Sequence, residues 1–149
     1  MENGKEARTT DGELLTIIYV SSAREIFSDT ELETLLLKAR TANAANAISG
    51  LLLYQDGNFM QLLEGPQAAV SELYAVIRRD PRHHDIVTLI EETGLPREFS
   101  AWSMAYRKLD NARWGALLES ISNDDQRQRA SLAKRILRDF WRAGSQTAP

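Results

Sequence analysis

The chain contains no cysteine and only two histidines among its 149 residues. The absence of cysteine excludes a disulfide framework, a thiolate nucleophile and a cysteine-ligated metal site. The two histidines, His83 and His84, are adjacent, and neighbouring histidines rarely bind one metal ion together. The sequence therefore predicts neither a metal centre nor covalent cysteine chemistry.

Long apolar runs and an excess of positive charge are also missing. No stretch approaches the roughly 20 apolar residues that a membrane-spanning helix needs, and the polar N-terminus lacks the apolar core of a secretion signal. The net charge of −3 provides no basic surface for direct binding of nucleic acid. We therefore expect a cytoplasmic protein that binds neither membranes nor nucleic acid.

The sequence motifs of common enzymes are absent as well. The chain has no glycine-rich phosphate loop, no G-x-S-x-G motif and no pair of metal ligands at helical spacing. A ferredoxin-like hydrolase of the acylphosphatase type would need a glycine-containing anion cradle after its first strand. This chain reads Ser21-Ser22-Ala23-Arg24 at that place. A hydrolase is therefore the less favoured hypothesis, which stays open at this point.

The patterns that are present predict alternating strands and helices. Asp56-Gly57 is typical of a two-residue hairpin turn, because glycine accepts the positive φ that such turns require. Ser28-Asp29-Thr30-Glu31 resembles a capping box for a first helix that ends between residues 42 and 47. Pro66 suits the first position of a second helix. Strands four and five are expected at 86–92 and 102–109.

This order of elements predicts an α+β fold with a ferredoxin-like βαββαβ core, an additional fifth strand and both helices on one sheet face. The opposite face would carry Ile18, Val20, Met60 and Leu62, and an apolar face of that size needs a cover. Two C-terminal helices are expected to cap it. The longer one has an apolar stripe that consists of Leu132, Ala133, Ile136, Leu137, Phe140 and Trp141.

Gln61 is the most informative residue, because an amide in an apolar strand needs partners. Phe59 and Leu63 lie on the same strand face as Gln61, and a buried amide without hydrogen bonds costs about 1–3 kcal/mol. Tyr19 of the first strand is expected to meet Gln61 under the helices. The partner of the amide is then either an ordinary core group or a bound polar heterocycle.

Other polar residues are expected near the same gap between the two helices. Each of them also has a plainer interpretation. The aromatic and sulfur-containing side chains suit core packing, the asparagines suit capping after the first helix, and the charged cluster suits a solvated loop. The residues expected around the gap are Tyr19, Trp102, Met104, Asn43 and Asn46. The charged cluster, which follows the second helix, consists of Asp80, Arg82, His83 and His84.

Taken together, residues 14–109 closely resemble a BLUF domain, the blue-light sensor that uses FAD. The resemblance rests on Tyr19 in Ile-Ile-Tyr-Val-Ser-Ser, on Asn43 upstream of Ile-Ser-Gly-Leu-Leu, and on Gln61 in Asn-Phe-Met-Gln-Leu-Leu-Glu-Gly-Pro. Ala42 departs from the pattern, because the family often has a polar side chain beside the flavin-binding asparagine. The pattern is completed by Asp80-x-Arg82-His83 and Phe99-x-x-Trp102-x-Met104.

The resemblance implies that the chain binds FAD noncovalently, with the flavin ring between the two helices. It assigns Asn43 to the carbonyl and N3 edge of the flavin. It makes Gln61 a bridge between Tyr19 and the N5/O4 side. The ribityl-phosphate end would be contacted by Asp80, Arg82 and His83.

The resemblance also implies photochemistry rather than enzyme catalysis. Blue light makes the flavin an oxidant, Tyr19 gives up an electron and a proton, and Gln61 changes its hydrogen bonding by rotation, tautomerisation or both. The strand that carries Trp102 and Met104 relays the change to the C-terminal tail. As in short BLUF proteins, which have no output enzyme domain, we expect a homo-oligomer that signals to a separate partner protein.

The expected organisation has four parts. Residues 1–12 form a disordered leader, 13–109 the BLUF domain, 110–143 a helical cap and output segment, and 144–149 a disordered tail. A flavin-free interaction module is a further alternative, which would explain the fold but not the buried amide of Gln61. The colour of the purified protein separates the sensor from both the hydrolase and the flavin-free module, because a yellow protein with flavin absorption supports the sensor and a colourless one supports the alternatives.

Overall fold

The computed structural model describes residues 13–99 and 103–122, together with residues 134 and 137. The predicted leader, residues 1–12, and the predicted tail, residues 144–149, lie outside the described residues. The α+β class and the βαββαβ order of the first six elements are confirmed. In chain order the elements are β1 Leu14–Ala23, α1 Asp29–Ala45, β2 Ser49–Gln55, β3 Asn58–Pro66, α2 Gln67–Arg79, β4 His83–Thr93, β5 Ala105–Lys108 and α3 Asn111–Ser122.

One five-stranded sheet with the order β4-β1-β3-β2-β5 forms the centre of the fold. Neighbouring strands are antiparallel except β2 and β5, which run parallel. The expected pairing of the first and third strands is confirmed, because Tyr19 lies opposite Gln61. Since side chains alternate along a strand, both residues point to the same face of the sheet.

The hairpin between β2 and β3 sets the register of Gln61. Asp56 and Gly57 have φ angles of 43° and 90°, and two successive positive values are the pattern of a type I′ turn, whose twist matches that of the flanking strands. The predicted hairpin is therefore confirmed. From this turn the strands pair so that Gln61 lies opposite Leu52.

The start of α1 follows the predicted capping box. The Ser28 side chain accepts a hydrogen bond from the backbone N–H of Glu31, whose carboxylate accepts one from the backbone N–H of Ser28. Two N–H groups that lack a partner within the helix are thereby satisfied. This anchors the helix that forms one side of the site.

Helix α1 ends at Ala45, within the expected range of 42–47, but its two asparagines differ from the prediction. Asn43 lies inside the last turn rather than after the helix, and it is 2% exposed. The left-handed backbone position belongs to Ala47, with φ 59°. Asn46 caps the helix through its side chain, which donates to the carbonyl of Ala42. The interpretation of the two asparagines as left-handed caps is therefore wrong, and Asn43 is turned into the protein interior.

Three element boundaries also differ from those expected. Pro66 ends β3 and precedes α2 rather than occupying its first position. Strand β4 begins at His83 because its pairing with β1 extends to Ala23. Strand β5 is shorter than 102–109 because it pairs with β2 only from Ala105 to Lys108.

Each face of the sheet carries its own apolar core. On one face, α1 and α2 pack over β1 and β3 through Leu32, Leu36 and Val70. The predicted cover on the opposite face is confirmed for α3 and for Leu137, the one stripe residue among those described. That cluster comprises Ile18, Leu51, Leu53, Met60, Leu62, Ile90, Phe99, Ala105, Leu109, Leu117, Ile121 and Leu137.

Candidate functional site

A cavity of about 320 Å³ lies between α1 and α2 on the helix-covered side of the sheet. Most of its wall is apolar, and a few polar groups converge on it, as in small-molecule binding sites. Seven of the eight predicted site residues line it, whereas Trp102 lies outside the described residues. The seven are Tyr19, Asn43, Gln61, Asp80, Arg82, His83 and Met104.

A chain of three buried side chains crosses the floor of the cavity. The Tyr19 hydroxyl donates a hydrogen bond of 2.5 Å to Oε1 of Gln61. At the other end of the amide, Nε2 of Gln61 lies 3.5 Å from Sδ of Met104. A thioether sulfur is a weak acceptor, so the nitrogen end of the amide is held less firmly than the oxygen end.

The surroundings of Tyr19 keep its hydroxyl protonated. Burial is the largest cause that raises the pKa of Tyr19, followed by Tyr74 and by the charge of Asp80. The ring of Tyr74 packs against that of Tyr19 with the centroids 5.3 Å apart. Because tyrosinate is strongly disfavoured here, Tyr19 is a hydrogen-bond donor, and oxidation of its ring would require loss of the proton as well.

Two side chains of α1 hold the backbone that leads into β5. Nδ2 of Asn43 donates to the carbonyl of Ser103 at 3.0 Å, and Nε of Arg40 donates to the carbonyl of Met104 at 2.9 Å. Asn43 also has an acceptor oxygen and a second N–H, and it lines the cavity. The position of Met104 beside Gln61 is thus fixed from the helix.

The charged cluster after α2 divides into two parts. Arg82 forms an ion pair with Asp80, with N and O atoms 2.6 Å apart, and this hydrogen bond is the main reason that the pKa of Asp80 is lowered. His83 is half-buried, with Nδ1 2.8 Å from the Ser21 hydroxyl. These residues line one end of the cavity, whereas His84 is not part of its lining.

Two contacts of the site were missed from the sequence. Tyr74 was not among the predicted site residues, yet its ring contacts Tyr19 and its hydroxyl is hydrogen-bonded to Thr88. A tyrosine on an apolar helix face is a signal for such a contact, because its hydroxyl needs a partner. Arg40 gave no signal, since an arginine near a helix end is ordinarily solvated.

Neither a helix that could span a membrane nor a cluster of metal ligands is present among the residues that the structure describes. None of its helices is both long and apolar enough to cross a membrane. Within the same residues, no group of three or more histidine or carboxylate side chains could hold a metal ion.

Tyr106 of β5 allows a test at alkaline pH. Chiefly because of burial, its pKa is raised from 10.0 to about 12, and among the described residues its hydroxyl has no hydrogen-bond partner. A raised tyrosine pKa contributes stability that is complete below pH 10 and is lost as the pH rises towards 12. Denaturant titration across this window should therefore show a smaller loss of stability in Tyr106→Phe than in the parent. Equal losses would contradict a neutral Tyr106 with a buried hydroxyl.

Comparison with known proteins identifies the family of this chain. Residues 14–105 match the family described as "BLUF: Sensors of blue-light using FAD", which covers more than half of the chain. The chain belongs to the BLUF family. The resemblance recognised in the sequence is thereby confirmed, and the hydrolase and flavin-free alternatives are not favoured.

Curated relatives of this BLUF chain are much longer proteins. It is 41% identical over 99 residues to photoactivated adenylate cyclase subunit beta from Euglena longa, which covers 64% of this chain and 12% of that relative. It is 35% identical over 91 residues to the blue light- and temperature-regulated antirepressor BluF from Escherichia coli, which covers 61% and 23%. The chain thus spans less than a quarter of either relative.

Two of the solved BLUF structures are similar to this chain in length as well as in fold. The photo-activated state of BlsA superposes with a TM-score of 0.72 at 27% identity, covering 90% of this chain and 99% of that one. The dark-state structure of BlrB superposes with a TM-score of 0.68 at 27% identity, covering 87% and 98%. In both comparisons the covered share of this chain is larger than the part, residues 14–105, that matches the family model.

Proposed function

We propose that this BLUF chain senses blue light through a noncovalently bound FAD and that Tyr19 and Gln61 carry out the light response. The observation that carries the proposal is the buried chain of Tyr19, Gln61 and Met104 along the cavity floor. The Gln61 amide lies between a strong donor, the Tyr19 hydroxyl, and a weak acceptor, the Met104 sulfur. Its oxygen and nitrogen ends can therefore exchange places, whereas an ordinary core hydrogen bond would stay fixed.

The residues present fit a flavin. The apolar walls of the cavity suit a flat aromatic ring, and the acceptor oxygen and N–H of Asn43 suit the neighbouring N–H and carbonyl at the edge of a flavin. At the other end, Asp80, Arg82 and His83 offer donors and acceptors to the polar ribityl-phosphate chain. Shape and polarity therefore vary along the cavity as they do along the cofactor.

The side chains then perform two tasks. When bound, a photoexcited flavin supplies a strong one-electron oxidant. Tyr19 provides the electron and releases its hydroxyl proton, for which Oε1 of Gln61 is the acceptor atom in direct contact. The amide of Gln61 next reverses its hydrogen bonding, because it has a donor and an acceptor end. Once Nε2 turns away from Met104, the start of β5 loses one of its contacts with the site.

The output is proposed to be a change in binding of a separate partner protein. The relatives named above are a cyclase subunit and an antirepressor, so BLUF domains occur with different outputs. A sensor domain needs no catalytic group of its own, and this chain is proposed to act as a cytoplasmic homo-oligomer without enzymatic activity. Trp102 is proposed to act with Met104 in the relay.

The light response can be measured directly on the purified protein. The protein should be yellow, release FAD on denaturation, and show a small red shift of its flavin absorption under blue light that reverses in darkness. The flavin is identified by chromatography of the released cofactor, which separates FAD from FMN. A colourless protein that cannot be reconstituted with FAD, or a permanent bleach in place of the red shift, would contradict the proposal.

A further inference from the structure

A fully buried ion pair lies on the sheet face opposite the cavity. Nζ of Lys134 is 2.8 Å from Oε1 of Glu64, and the two side chains are 2% and 0% exposed. The ammonium group also donates to the Thr16 hydroxyl at 3.1 Å and to the carbonyl of Pro96 at 2.7 Å. A buried ion pair is tolerated only with such additional hydrogen bonds, because both charges have lost their water.

The carboxylate of Glu64 also holds the chain that follows β4. It accepts hydrogen bonds from the backbone N–H of Glu98 at 3.0 Å and of Phe99 at 2.6 Å. The hydroxyl of Ser49 donates to it at 3.0 Å. The carboxylate of Glu64 therefore holds residues 98–99 and, at the same time, Lys134 of the C-terminal region.

Strand β3 connects the cavity with this ion pair, because it carries Gln61 on one face of the sheet and Glu64 on the other. Glu64 lies three residues after Gln61 on β3 but points to the opposite face. Residues 103–104 are held from the cavity side by Asn43, Arg40 and Gln61, whereas residues 98–99 are held by Glu64. Met104 is therefore only a few positions along the chain from Phe99, from whose backbone N–H the carboxylate of Glu64 accepts a hydrogen bond.

We propose that the Glu64–Lys134 ion pair couples the state of Gln61 to docking of the C-terminal segment, and that illumination releases Lys134 into solvent. This inference rests on the proposed light-sensing function. If the N–H groups of residues 98–99 move, the buried carboxylate loses two of its donors and the pair is no longer compensated for its desolvation. Release of Lys134 restores water to both charges and withdraws Leu137 from the apolar cluster.

The release can be measured by chemical labelling of lysine. The flavin-loaded full chain is treated with an amine-acylating succinimidyl ester in darkness and under continuous blue light, and labelled peptides are quantified by mass spectrometry. Lys134 should be labelled about tenfold faster in the light, as expected for opening of a protected region. Lys108, whose side chain is 59% exposed, is the internal control and should be labelled equally in both conditions.

The flavin absorption of the same samples separates the two hypotheses. A normal red shift with unchanged labelling of Lys134 would overturn the inference and leave the light-sensing function intact. Absence of the red shift would overturn that function and the inference with it. Light-induced labelling of Lys134 that persists in Gln61→Leu would also overturn the inference, because the coupling would then not start at the amide.

A variant pair tests the contact itself. Glu64→Gln should raise the labelling of Lys134 in darkness about tenfold while the red shift is retained, because the ammonium loses its counter-charge. Asp29→Asn is the matched control, since Asp29 pairs with the exposed Lys108. It should leave labelling of Lys134 unchanged. Protection of Lys134 that is the same in Glu64→Gln and in the parent would contradict the role of the ion pair.

Discussion

Gln61→Leu should retain the flavin and lose the light-induced red shift completely. Leucine fills a similar volume in the apolar floor of the cavity but has no amide to accept from Tyr19 or to turn away from Met104. The variant therefore lacks the group whose hydrogen bonding changes. Absorption spectra before and after a blue-light pulse measure the shift, and the absorbance ratio of flavin to protein measures occupancy.

Tyr19→Phe tests the other member of the pair. Phenylalanine preserves the ring that packs against Tyr74 but has no hydroxyl proton to release, so flavin should bind while normal photocycling is lost. A red shift of parental size in both Gln61→Leu and Tyr19→Phe would rule out the proposed roles.

The same hairpin offers matched controls for both changes. Gln55 is 7% exposed, like Gln61, but it lies beside the turn and hydrogen-bonds Asn58 rather than lining the cavity. Tyr54 is buried in the neighbouring strand, and its hydroxyl accepts from the backbone of Phe27. Gln55→Leu and Tyr54→Phe should therefore retain the red shift. Its loss in these controls as well would show that the response requires only an undisturbed core.

The features that the sequence predicted correctly depend on short-range chemistry. The capping box joins Ser28 to a residue three positions later, and the turn at Asp56-Gly57 requires only two adjacent residues that accept positive φ. The meeting of Tyr19 with Gln61 needed one further assumption, that the first and third strands are neighbours. Strand alternation then determined the face on which both side chains lie.

The features that could not be predicted depend on contacts between distant parts of the chain. Asn43 was placed after α1, because a helix end carries little signal, whereas the structure keeps it inside the helix where it donates to Ser103. Glu64 is preceded by two leucines, and no local pattern indicates that a lysine 70 positions later neutralises it. Arg40 and Lys134 each resemble the solvated charges of an ordinary helix until their partners are known.

Truncation after Leu109 should convert the chain into a core that still binds flavin and photocycles but aggregates or loses light-dependent partner binding. Among the residues that the structure describes, the truncation removes three buried apolar side chains that cover the sheet face opposite the cavity, namely Leu117, Ile121 and Leu137. Burial of an apolar side chain contributes about 1.5–3 kcal/mol as an upper estimate. The total is comparable to the about 5–15 kcal/mol by which whole domains are stable, so the exposed face should drive association.

A single substitution measures the same contribution in the full chain. Leu117 is 2% exposed within the cluster, so Leu117→Ala should reduce the free energy of unfolding by about 2–5 kcal/mol. Leu37 is 67% exposed on α1, and Leu37→Ala should change it by less than about 0.5 kcal/mol. Denaturant titration of both variants gives the comparison. The proposal fails if the two substitutions have equal effects and the truncated core remains soluble, monomeric and able to bind its partner in a light-dependent way. The C-terminal region would then be neither the cover of this face nor the output element.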